Sequence, residues 1–153
     1  MKRSVWLLAG LIVGAVAVGP WQGRSEASTG PATVRITDSE LAVARADIGR
    51  KGTSPGDVEV VRVRLLERGT ATVIGRGELV CTFVDNRRAR VCRGTYMLPK
   101  GTLVVGGSLR YRQFYNLAVV GGTGLFDNAR GSVTVTRTDR RPVRNLVVFH
   151  LVG

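Results

Sequence analysis

Between residues 33 and 152 the chain breaks into eight short runs rich in Val, Thr, Leu and Tyr. Glycine, proline, asparagine or aspartate follows all but the run at 102–112, which Gln113-Phe114 separates from the next. β-Branched and aromatic residues pack well on a pleated surface, and turn residues bound such strands. The pattern predicts strands at 33–37, 58–66, 70–83, 89–97, 102–112, 115–120, 132–138 and 145–152. No stretch carries a 3.6-residue apolar period long enough for a core helix. The nearest is 41–48, expected as a helical turn or irregular segment. Eight strands joined by short turns predict an all-β fold, an eight-stranded antiparallel up-and-down barrel. Closure removes the exposed strand edges. The interior of such a barrel is filled by side chains or holds one small ligand.

The last strand sets Val147, Phe149 and Leu151 on one face, and Leu146, Val148, His150 and Val152 on the other. Residues 117–120 are apolar throughout. A monomeric barrel needs one apolar face, so a second implies a subunit interface or a covering segment.

The N-terminus has a different character. Lys2 and Arg3 precede an apolar run over 4–18, Pro20 ends it, and Ser25-Glu26-Ala27 offers small residues before Ser28. This is the pattern of a secretory signal peptide over 1–27. The run is shorter than the ~18 to 20 residues of a membrane span, so no transmembrane segment is expected after cleavage. The expected organisation is a leader at 1–27, an N-terminal segment with the first strand at 28–46, and the barrel proper at 47–153. Loss of Lys2, Arg3, Arg24 and Glu26 with the leader lowers the net charge from +12 to +10. That charge suits an anionic envelope surface, or a scattered Arg-rich exterior that keeps the protein soluble.

Cys81 and Cys92 are the two cysteines. An exported chain with an even count is read as forming a disulfide. If Asn86-Arg87 form a tight turn, Cys81 lies opposite Cys92 across a hairpin. One histidine and scattered carboxylates supply too few convergent ligands for a metal. No cofactor is expected.

Gly121-Gly122-Thr123-Gly124 lacks the Lys-Ser/Thr of a phosphate loop and is read as a rim turn, together with Gly131. Asp127 and Arg130 form either a loop-ordering pair or a site in which Arg130 polarises a ligand oxygen. Tyr96, Tyr111 and Tyr115 are candidate cavity residues that can donate a hydroxyl. Glu78 is a candidate acid if it points inward. His150 has no serine partner for a triad. Nucleic-acid binding is not favoured; the single basic stretch interleaved with aromatics is Arg110-Tyr111-Arg112-Gln113-Phe114-Tyr115.

Residues 117–135, running from an apolar strand through the Gly-Gly-Thr-Gly turn to Ala129-Arg130-Gly131, resemble a signature of the dirigent and allene oxide cyclase-like barrels. Gly52-x-Ser54-Pro55-Gly56-Asp57 and Cys92-x-Gly94-x-Tyr96-x-Leu98-Pro99-x-Gly101 are similar to the loop and central hairpin of bacterial members. The resemblance covers about residues 47 to 152. It implies an eight-stranded barrel, frequent trimers, and cofactor-free guidance of ring closure or radical coupling in an apolar cavity. Arg130 and Thr123 match the family's pattern. The positions of the plant dirigents' paired aspartates are Arg62 and Val63, and Glu40, the nearest candidate for the cyclases' glutamate, falls past the predicted first strand. Taken with the leader and the candidate residues above, the resemblance leads to the expectation of a secreted barrel for an apolar or aromatic small molecule, with Arg130, Asp127 and Tyr96 as candidate catalytic residues and Tyr111, Tyr115, Glu78 and Thr123 at the ligand. The alternative is a non-catalytic extracellular protein whose basic surface meets anionic polymers.

Overall fold

A computed structural model describes residues 32–152; the expected leader and its cleavage site lie outside them. The eight strands are β1 (Ala32–Ala46), β2 (Val58–Glu67), β3 (Val73–Phe83), β4 (Arg90–Leu98), β5 (Gly101–Leu109), β6 (Phe114–Gly122), β7 (Arg130–Arg140) and β8 (Val143–Val152). Each pairs antiparallel with its neighbours in sequence, and β1 closes on β8 as a barrel. The period of two places alternate side chains inside. Val147, Phe149 and Leu151 of β8 are buried, whereas His150 and Val152 are exposed. Leu65, Leu103, Val105, Val133, Val135 and Tyr96 complete the fully buried core. The Tyr96 and Phe149 rings meet edge to face at 5.1 Å.

The structure differs from the sequence reading at several places: residues 70–72 and 110–112 lie in turns outside β3 and β5, and two larger differences concern β1 and the cysteine hairpin. Residues 41–46 continue β1 instead of coiling: Ala42–Ala46 pair with Arg62–Val58 beyond a bulge between Glu40 and Ala42. One residue is accommodated at the bulge, so the hydrophobic alternation breaks there while the strand runs on. Glu40 thus lies within β1, not beyond it.

The pairing of Cys81 with Cys92 is as expected, and a disulfide joins them. The turn beyond is longer than two residues. The Val84 amide donates to the Ala89 carbonyl, and the Asp85 carboxylate accepts from the Arg87 and Ala89 amides. Arg88, rather than Asn86, adopts positive φ (75°). A four-residue loop with a left-handed residue keeps the same register as a two-residue turn, which is why the cysteine spacing was informative although the turn type was not.

Candidate functional site

The two ends of the barrel differ sharply. One is formed by the starts of β1, β3, β5 and β7 and the ends of β2, β4, β6 and β8. The loop from β6 to β7 plugs it: Ala129 is fully buried and Phe126 packs against the core. Here lies the Gly-Gly-Thr-Gly turn. A Cβ on Gly122 would collide with the Phe126 carbonyl, and Gly124 (φ 64°) lies where a Cβ would come within 2.5 Å of the Lys100 carbonyl. The Thr123 hydroxyl accepts from the Thr102 amide at 3.2 Å. These glycines close a rim by backbone contact, as the turn reading expected. Arg130 donates to its neighbour's carbonyl, Ala129 O, at 2.9 Å. Asp127 caps the Asn128 amide at 3.1 Å.

The opposite end is open. Its mouth is a concavity of about 670 Å³, within the usual size of a small-molecule site. It leads to a smaller inner cavity of about 40 Å³ lined by Asp38, Glu59, Arg90, Arg112, Tyr115, Arg137 and Asn145, with Val63, Leu79 and Cys81 beneath. Each of these polar residues except Arg112 sits at the mouth-side limit of a run of inward positions: Asp38 follows Ile36, Glu59 precedes Val61 and Val63, Arg90 precedes Cys92, Arg137 follows Val135, and Asn145 precedes Val147. The same alternation that fills the lower barrel therefore lines the upper one with charge.

Arg90 Nη1 donates to Glu59 Oε1 at 3.1 Å, and Arg112 Nη2 to Glu40 Oε2 at 3.0 Å. Burial lowers the Arg90 guanidinium's proton affinity, opposed by Glu59. Asp38 is 2% exposed. Its Oδ1 accepts from Asn145 Nδ2 at 2.6 Å. Burial raises the Asp38 carboxyl to about 6, despite that hydrogen bond. Burial likewise pushes the Tyr96 and Tyr115 phenols up, with the Asp38 charge adding to both. Both tyrosines thus stay protonated as hydroxyl donors. Asn145 Oδ1, Arg90 Nε and Arg137 Nε are buried without a hydrogen-bond partner, and the Tyr96 hydroxyl faces that of Tyr115. Buried polar atoms are nearly always satisfied, by protein or by something bound, so three orphans at one end mark it as a place for polar occupants.

A side wall supports the mouth. Asp57 accepts from the Ser54 and Ile48 amides (3.0 and 2.9 Å), from the Ser54 hydroxyl and from Arg45. Those amide donors hold its carboxyl well below the usual carboxylate range. Arg45 and Arg90 both lie over the Phe83 ring, at 4.7 and 5.2 Å. The loop between β1 and β2 is thereby fixed beside the opening.

The residues singled out by sequence divide between the two ends. Tyr115 lines the inner cavity, Tyr96 lies in the core with its hydroxyl beside Tyr115 and Asp38, and Tyr111 stands at the mouth, 70% exposed. Arg130, Asp127 and Thr123 lie at the plugged end, and the fold does not bring them to Tyr96's polar neighbours. Glu78 points outward and is exposed, opposite Arg62 and Thr95, which removes it from any cavity. Asp38, Glu59, Arg90, Arg137 and Asn145 were missed. The signal was present: each is a polar residue in phase with an apolar inward series. Among the described residues no cluster suited to a metal ion occurs.

No protein-family model and no curated protein matches the sequence. Solved structures match it in shape. A pyocyanin demethylase superposes with a TM-score of 0.67 at 22% identity, over 76% of this chain and 98% of that one. The chain shares with it the closed eight-stranded barrel fold. A pterocarpan synthase dirigent protein matches with a TM-score of 0.61 at 16% identity, over 82% of this chain and 98% of its own. A Diels-Alderase from Streptomyces koyangensis matches with a TM-score of 0.63 at 15% identity, over 78% of this chain and 64% of its own.

Proposed function

We propose that this protein is a secreted barrel that binds a ring-bearing acidic small molecule at its open end and guides a cofactor-free cyclisation or isomerisation there. One observation carries the reading. Seven arginines and one carboxylate, Glu59, are among the residues lining a single concavity, which opens on the unsatisfied polar floor around Asp38. The apolar half of the barrel is filled by Tyr96, Phe149 and their neighbours, so of the apolar or aromatic ligands the sequence suggested we favour an aromatic one with a charged group. Its charged group faces the arginines and a polar edge of its ring faces the floor. Comparison with dirigent and Diels-Alderase barrels supports a shape-guided reaction, in which holding reactive atoms close supplies much of the rate.

In this reading Tyr115 donates a hydrogen bond to a ligand oxygen. Asp38, with its carboxyl raised to about 6, gives or takes a proton near neutral pH. Asn145 holds the carboxylate in place through its 2.6 Å hydrogen bond. Native mass spectrometry of protein purified from its own culture medium tests the proposal. A chain starting at Ser28 that retains an acidic aromatic compound supports it. An intracellular chain with its leader, or a secreted one that binds no such compound when offered a panel of aromatic acids, contradicts it.

A second reading has one supporting observation. Arg64 lies directly opposite Arg76 on the outer face of β2 and β3, a like-charge pair that ordinarily costs stability. A non-catalytic protein whose exterior meets an anionic polymer would tolerate that cost. Salt-sensitive retention of such a polymer with an empty mouth favours this reading.

A further inference from the structure

We infer that the ligand of the open end carries a phosphoryl group, clamped by Arg87 and Arg88 of the β3–β4 turn and Arg110 of the β5–β6 turn. The inference rests on the small-molecule reading above and names the ligand's class. The charges at this end fall into two sets. In the inner cavity, Asp38, Glu40 and Glu59 stand against Arg90, Arg112 and Arg137, so the floor is nearly balanced. Of the mouth arginines, Arg45, Arg90 and Arg112 each have a carboxylate within 4 Å. Among the described residues no ion pair engages Arg87, Arg88, Arg110 or Arg137, and of these Arg137 has the Asp38 charge of the floor near it. Three rim guanidiniums without an ion pair thus border one concavity, the Asp85 carboxylate of the same turn being engaged by the Arg87 and Ala89 amides.

The backbone adds an independent mark. Arg88 holds φ at 75°, a left-handed conformation that glycine or asparagine adopts at lower cost. An arginine kept there points to a role for its side chain. Arg90, on the strand that follows, is 4% exposed and lines both compartments, with its Nε unpartnered. A carboxylate would neutralise one of the three rim charges. A phosphate monoester brings nearly two charges and three acceptor oxygens, which planar guanidinium forks engage in pairs. No lysine is among the mouth-lining residues. Exposed Tyr111 offers a face against which the ligand's ring can lie.

The test is calorimetric titration of the protein at low salt with phenyl phosphate, benzoate and phthalate. The expected result is that phenyl phosphate binds at least about tenfold more tightly than benzoate or phthalate. Replacing Arg87, Arg88 and Arg110 together by Ala should abolish that preference. Replacing Arg62, Arg64 and Arg76 on the outer face removes the same charge and should leave the preference intact. An unchanged melting profile shows that each variant is folded. Equal affinities for phenyl phosphate and benzoate overturn the inference while leaving a small-molecule barrel standing. Phthalate binding as tightly as phenyl phosphate overturns the phosphoryl assignment. Equal losses in both triple variants reduce the clamp to long-range charge and overturn it too. Binding of none of the three removes this inference and the reading beneath it together.

Discussion

At the plugged end of the barrel the inward positions hold Val, Leu, Tyr and Phe, and glycine-rich backbone seals the rim. At the open end the continuing inward positions hold Asp38, Glu59, Arg90, Arg137 and Asn145. One strand alternation serves both. The difference teaches that the most recognisable motif of this chain, Gly121–Gly124 with Arg130, marks where the barrel is closed and stabilised. The proposed ligand site lies at the other end, beside the basic stretch at 110–115. The disulfide stands at the boundary, with Cys81 under the inner cavity and Cys92 fully buried beside it.

The largest expected effect belongs to the filled half. Phe149→Ala removes a fully buried ring packed on Tyr96 and should cost about 3–5 kcal/mol in denaturant unfolding. Folded variant protein should still bind at the mouth; loss of binding without loss of stability would break the division between the ends. Next is the boundary. Replacing Cys81 and Cys92 by Ala opens a closed loop of 11 residues and should cost about 3 kcal/mol by the chain-entropy estimate. A much smaller loss would mean that packing alone holds this hairpin.

Asp38 gives a signed prediction for the open half. Its carboxyl keeps its proton to about pH 6 when folded, against 3.8 in the unfolded chain. Between those values the folded state binds more protons, so its stability falls as pH rises from about 4 to 6 and then levels off. Asp38→Asn removes this penalty and should stabilise the protein by about 2–3 kcal/mol at pH 7, with little change at pH 3. A variant with an unchanged pH profile would show that Asp38 is not held in a desolvated floor. The smallest effect should come from Arg130→Lys at the plugged rim: stability within about 0.5 kcal/mol and ligand affinity unchanged. A tenfold loss of affinity would place the site at the family's arginine after all.

Eight strands, the barrel and the Cys81–Cys92 register were legible because turn residues and β-branched runs are local signals. The continuation of β1 through 41–46 was not, because the bulge at Glu40 breaks the alternation on which strand reading depends. The site was only half legible. Tyr115 could be named as a cavity tyrosine, but nothing local tells an inward arginine from an outward one. Arg90 and Arg62 look alike until the phase of their strands is fixed by Cys92 and Val63. Glu78 was drawn in for the converse reason, since a charged residue near glycines carries no sign of which face it occupies.

The central claim is that ligand enters at the arginine-lined mouth. Amide chemical-shift mapping during titration with phenyl phosphate and benzoate tests it most directly. The account predicts shifts concentrated at residues 38–45, 87–90, 110–115, 137 and 145, with 121–131 unmoved. Shifts concentrated at 121–131, around the Gly-Gly-Thr-Gly turn and Arg130, would contradict it.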